Sequence, residues 1–180
     1  GVVREAAGLA AYRAGHYPEA LAELRTARRL TGSDEHLPVI ADSERALGRP
    51  ERALAIAVLP ELGRLDVEHR VEMLIVEAGA RSDLGQKEAA VITLQVGLLD
   101  SRVKAPWVAR LRMAYADALA AVGRDDEAAR WLERAAEADP DDVTGIHQRL
   151  DDDDDVVVTD LEEDEDEGTG DDEAQELSTS

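Results

Sequence analysis

The chain has 180 residues, of which 44% are hydrophobic and only 3% aromatic, with no Phe and no Cys. That length fits one domain plus an appended segment, and the missing cysteine excludes disulfides, thiolate metal sites and cysteine nucleophiles. The formal net charge of −21 is uneven: residues 1–140 hold 19 basic and 23 acidic side chains, whereas residues 141–180 hold 1 and 18.

The nearly balanced part and the acidic part meet between Pro140 and Leu150, where charge asymmetry marks a boundary. Alanine occurs 29 times before residue 141. It has the highest helix propensity and lets helices approach closely, so composition favours packed helices over sheets, which draw on β-branched and aromatic residues. Arg outnumbers Lys 18 to 2, a bias that with the alanine suggests a GC-rich bacterial source. No apolar run reaches membrane-spanning length. Gly1-Val2-Val3-Arg4 has no apolar h-region, so no signal peptide is expected. The sequence lacks an initiator methionine, which leaves open whether residues precede Gly1. The expected compartment is the cytoplasm.

Apolar spacing predicts eight helices, near 2–14, 18–30, 35–47, 51–59, 68–84, 87–99, 106–122 and 125–138. They fall into four pairs, each joined at a glycine. Gly15, Gly48, Gly85 and Gly123 are each followed five residues later by an alanine: Ala20, Ala53, Ala90 and Ala128. Seven residues before each glycine stands a small residue: Gly8, Ala41, Ala78 and Ala116. Leu24, Ala57, Leu94 and Leu132 follow the alanines by four. Glycine ends the first helix of a pair where the chain needs a left-handed residue. Pro18, Pro50, Glu88 and Asp125 suit the first turn of the second. The small residue permits close helix contact, and the alanine and the residue four later share one face. Pro60 should stop the fourth helix near Leu59. Val143, Ile146 and Leu150 form a short amphipathic turn expected to cap the last apolar face.

Four units in register, with glycines 33, 37 and 38 residues apart, resemble the tetratricopeptide repeat, a helix-turn-helix unit of about 34 residues. The first unit carries Gly8, Tyr12, Gly15, Tyr17, Ala20, Leu24 and Ala27. The fourth carries Ala116, Gly123, Ala128, Leu132 and Ala135 and ends at Pro140, matching the family's closing proline. Units two and three are degenerate, and most of the aromatic signature is missing. The resemblance covers about residues 2–140. It implies an all-α fold: a right-handed α-solenoid of about four repeats, which with the short cap makes a domain over 1–150. A monomer or weak homo-oligomer is expected, with the oligomeric state left open by the residues. A disordered acidic tail over 151–180 follows.

That tail begins with five aspartates, Asp151 to Asp155, and continues through Val156-Val157-Val158 and Leu161 into further acid. Like-charge repulsion and scarce apolar surface predict disorder. Three roles stay open: a solubility segment, a docking motif built on the valines, or a competitor for a basic surface, its own or a partner's.

Little points to catalysis. His16, His36, His69 and His147 have no partner at metal-ligand spacing, and no phosphate loop, His-Glu-x-x-His or nucleophile elbow occurs. The aspartate run lacks the spacing and glycine of a calcium loop. No catalytic residue, cofactor or metal is therefore expected, and a hydrolytic enzyme ranks last. Arg25, Arg28 and Arg29 lie at a helix C-terminus, where cations favour the helix dipole. The net negative charge opposes direct phosphate binding.

Protein recognition remains. By the resemblance, the first helix of each unit lines the inner face, whose expected exposed residues include Glu5, Leu9, Tyr12, Arg13, Pro38, Asp42, Arg45, Ser82, Asp83, Arg110, Met113 and Asp117. The candidate partner-binding set is Tyr12, Arg13, Asp42, Arg45, Ser82, Arg110, Met113 and Asp117. Solvated surface ion pairs such as Asp42–Arg45 are the alternative reading of the same residues. Family members that grip acidic C-terminal peptides use Lys and Asn on this face. Here Glu5 and Leu9 stand at corresponding places and Asn is absent, so that mode is not expected. The second functional reading is a tail-mediated docking or regulatory protein contacting a nucleic-acid-associated partner.

Overall fold

A computed structural model describes residues 1–151. Of the tail expected to be disordered over 151–180, residues 152–180 lie outside the described ones. Residues Gly1–Ile146 form one compact unit, and a second begins at His147, of which residues 147–151 are described as helical.

Among the described residues the first unit contains no strand. Its helices are α1 (Val2–Arg13), α2 (Tyr17–Thr31), α3 (Leu37–Ala46), α4 (Pro50–Ala57), α5 (Val67–Asp83), α6 (Lys87–Leu94), α7 (Pro106–Ala120) and α8 (Asp125–Ala138). Short 3-10 turns at Pro60–Arg64 and Gly97–Asp100 follow α4 and α6.

Each pair turns by the same backbone device. Gly15, Gly48, Gly85 and Gly123 have φ between 71° and 77°, a region where a Cβ is penalised. At each, the following N–H bonds the carbonyl four residues before the glycine: His16 to Ala11, Arg49 to Glu44, Gln86 to Arg81 and Arg124 to Leu119, at 2.8–3.0 Å. The glycine N–H bonds the carbonyl three before it. These are Schellman closures, which satisfy the last carbonyls of the first helix.

The small residues do what their spacing implies. Gly8, Ala41, Ala78 and Ala116 are buried, as are Ala20, Ala53, Ala90 and Ala128. A Cβ at Gly8 would stand 2.6 Å from Cγ of Leu24, so α1 and α2 meet where only glycine fits. Leu21, Leu24 and Ile40 form one core cluster. Ala41, Ala53, Met73, Val76 and Ala80 form the next.

Three expectations need correction. α6 stops at Leu94 rather than near 99, because Val96 is extended and Gly97, a poor helix former, opens the 3-10 turn. Pro38 is buried in the first turn of α3, where its ring needs no N–H and packs inward, so it does not belong to an exposed face. Val143 is 66% exposed while Ile146 is fully buried, so the segment after α8 is held by Ile146, not by an amphipathic stripe. Asp139, itself buried, helps to shape it by accepting the Thr144 N–H at 2.7 Å.

α3 packs on α5 and α5 on α7, whereas the even helices pack chiefly on odd ones. α1, joined to α3 through Tyr12 and Asp42, belongs with α3, α5 and α7 to one layer, the one that the resemblance to tetratricopeptide repeats assigns to the inner face.

Candidate partner-binding face

Counted back from each closing glycine, positions three, six and ten lie on one face of the odd helices, since such spacings recur on one side of a helix. Position three holds Tyr12, Arg45 and Ser82, and position six holds Leu9, Asp42, Gly79 and Asp117. Position ten holds Glu5, Ile75 and Met113, with the buried Pro38 at the corresponding place in α3.

Polar bonds run across this face from helix to helix. The Tyr12 hydroxyl donates to Asp42 Oδ2. Arg45 donates to Asp42 Oδ1 at 2.8 Å and to Asp83 Oδ2 at 2.7 Å. α1, α3 and α5 are thus joined through Tyr12, Asp42, Arg45 and Asp83. Burial first, then the Asp42 carboxylate, pushes the Tyr12 phenol well above its ordinary pKa, so it stays a donor. Farther along, Arg110 of α7 donates to Glu72 at 2.5 Å and Glu68 at 3.1 Å, both on α5.

The eight candidate residues thus divide. Tyr12, Asp42 and Arg45 come together, and Arg110 sits apart with its two glutamates. Arg13 is exposed at the end of α1, Ser82 and Met113 are half-buried, and Asp117 is exposed. Ser82 and Asp117 meet Arg45 around a pocket of about 240 Å³ whose apolar wall includes Ile75, Ala78 and Ala114. Gly79 lies in this pocket, and the absence of a side chain there keeps it open beneath Arg45. The volume is below the roughly 300–1,000 Å³ of small-molecule sites, and suits a single apolar side chain.

The sequence reading missed a charged cluster on the other side of α3. Glu44 has no solvent exposure. Arg25 of α2 donates to its Oε1, Arg49 donates to Oε2 at 3.3 Å, and Arg52 stands 3.8 Å from Oε1. Burial pushes this carboxyl upward, but hydrogen bonds from Arg25 and Arg49 outweigh it and hold the group below its usual value. A signal was available: Glu44 lies four before Gly48, in register with buried Ala11 and Leu119. Arg112 is the second such residue. It is buried and donates to the carbonyls of Leu99, Ser101 and Arg134, tying the 97–105 segment to α8.

His16, His36 and His69 each face a carboxylate, Glu19, Glu5 and Asp66 respectively. No group of three or more metal-ligating side chains gathers among the described residues. No described helix is long and apolar enough to cross a membrane.

Paired antiparallel helices, a Schellman glycine in every pair and a small residue at every contact define a helical-repeat protein. A family model described as tetratricopeptide repeat matches residues 109–151, which span most of α7, all of α8 and the segment after it. The chain is tetratricopeptide-repeat-like, and the match lies on the unit whose spacing ends at Pro140. No curated protein matches the chain.

Proposed function

We propose that this chain is a non-enzymatic interaction module of the cytoplasm that receives a peptide or helix of a partner protein on the face of α1, α3, α5 and α7. The carrying observation is the pocket at Gly79. An apolar wall sized for one side chain lies beneath a rim of Arg45, Ser82 and Asp117. Such a pairing of an apolar socket with orienting charges is how binding hot spots are built. Tyr12 and Met113 add contact area on the same face, and Arg13 adds a cation. Arg45 and Arg110 are held in place by carboxylates, so they present ordered guanidinium edges at low entropic cost.

The acidic residues from Asp151 onward act on this binding through their field. A partner of acidic character is repelled by them. Removing residues 152–180 tightens its binding, most at low salt where screening is weakest.

The test is photo-crosslinking from single sites in source-cell extract. A crosslinker at Ser82 or Met113 is expected to trap the same partner, and one at Glu133 on α8 to trap none. Equal trapping at all three positions, or none at the inner pair, rejects the reading. A partner lost on removing residues 152–180, with inner-face trapping absent, favours docking through the acidic segment.

A further inference from the structure

A second recess, of about 580 Å³, lies on the opposite layer between α2 and α4. Its origin is local. Pro60 opens a 3-10 turn in place of a longer α4, so α4 has only eight residues and a recess stays open beside the carboxyl half of α2. Leu37, Ile40, Ile56 and Leu59 form the apolar floor. Arg25, Arg28 and Arg29 stand on one rim and Arg64 on the other, against two carboxylates, Asp34 and Glu61.

The charges are incompletely matched. Asp34 is shared between Arg28 at 2.8 Å and Arg64 at 3.2 Å. Arg25 is engaged with Glu44, a carboxylate already met by two further arginines. Arg29 is exposed and hydrogen-bonds Thr26 Oγ1, with no carboxylate partner among the described residues. The recess is therefore cationic despite the carboxyl end of α2, whose own dipole opposes an anion. One acceptor also lacks a donor. Glu61 Oε1 stands 3.9 Å from Arg28, whereas Oε2 is buried with no hydrogen-bond partner among the described residues. A buried acceptor of this kind is normally satisfied.

We infer that this groove docks an acidic segment of a partner protein. Carboxylates meet Arg29 and Arg64, one apolar side chain covers Ile56 and Leu59, and a main-chain N–H reaches Glu61 Oε2. A peptide offers all three groups, whereas an inorganic anion has no apolar side chain to cover Ile56 and Leu59. The groove is separate from the inner face, so this inference stands or falls independently of the proposed function.

The probe is a fluorescein-labelled peptide with one leucine between aspartate pairs and a photo-crosslinker at one end, added to the full chain. Anisotropy is expected to show binding that weakens as salt rises. Arg29→Glu with Arg64→Glu changes two exposed groups, and circular dichroism checks that it folds. It is expected to weaken binding about tenfold or more. Replacing the peptide leucine with serine is expected to weaken it about tenfold. Crosslinks should fall on α2 and residues 60–64. Absence of binding, equal affinity for parent and double variant, full displacement by inorganic phosphate, or crosslinks confined to α1, α3, α5 and α7 each overturn the inference.

Discussion

The guanidinium of Arg45 lies over Gly79 of the neighbouring inner helix, so close that a Cβ on the glycine would meet Cζ and Nη1 at 2.8 Å. What stands in the way is the far end of a flexible side chain, which can swing aside. Gly79 sits inside α5, where alanine is better than glycine by about 0.8–1.0 kcal/mol. Gly79→Ala should leave stability unchanged or raise it by up to about 1 kcal/mol, while displacing Arg45 from Asp83 and narrowing the inner pocket. Urea unfolding beside partner affinity checks this. Lower stability with unchanged affinity is the wrong outcome.

Gly8 gives the opposite sign from similar geometry. Its added Cβ would meet Leu24 Cγ at 2.6 Å, Cδ2 at 2.7 Å and the backbone nitrogen at 3.2 Å. Leu24 is fully buried and its backbone cannot yield. Overpacking of this kind costs about 1–3 kcal/mol, more than the propensity gain. Gly8→Ala should therefore lower the urea midpoint, and a midpoint above that of the parent would mean that α1 and α2 meet elsewhere.

Glu44 should make the fold sensitive to acid. Its folded pKa lies below the ordinary value, so the ionised form is the one the folded state prefers. Its contribution is complete above the unfolded pKa of about 4.3 and disappears as pH falls through the lower folded value. Glu44→Gln removes the charge but keeps the size. At neutral pH it should cost about 2–3 kcal/mol, below the roughly 3–5 kcal/mol of a fully buried pair, because the three guanidinium groups reach solvent. The difference between parent and variant should shrink on acidification below about pH 4. A difference independent of pH would show that the carboxylate charge is not what the arginines hold.

The backbone turns were legible because their cause is local. A residue at positive φ asks for glycine wherever it occurs, so Gly15, Gly48, Gly85 and Gly123 announce the four turns without reference to the rest of the fold. The alanines were legible through their fixed distance from those glycines. Glu44 and Arg112 were not, because a charged residue in a helix reads as solvated until the groups that neutralise it are placed. Arg25 comes from α2 and Arg49 and Arg52 from the start of α4, and Leu99, Ser101 and Arg134 offer main-chain carbonyls, which have no sequence signature. The inner face was half legible. Helical spacing put Tyr12, Asp42 and Arg45 on one side, but their bonds across helices, and the pocket left by Gly79, depend on how adjacent units settle. The groove of α2 was legible only in parts. Its arginines suited a helix end and Pro60 suited a stop, and nothing in either announced that the two border one recess.

The bond from Tyr12 to Asp42 joins α1 to α3 on the inner face and yields a test with a pH signature of its own. Tyr12→Phe deletes the donor and leaves Asp42 with Arg45. A hydrogen bond to a charged acceptor contributes about 1.5–3 kcal/mol, and the half-buried site argues for the lower end. Because the folded phenol titrates well above its ordinary value, the protonated form is the one favoured by folding. The contribution is therefore complete below the unfolded pKa of about 10 and is lost as pH rises beyond it, since only the unfolded chain gains from ionising. Parent and variant should differ at pH 7 and converge above pH 10, measured by urea unfolding at both. Tyr12→Phe should also loosen α1 from α3, so amides of the first helix exchange faster while those of α7 do not. Equal stability at pH 7 would mean that the hydroxyl faces water and that packing against α2, not this bond, holds the first inner helix.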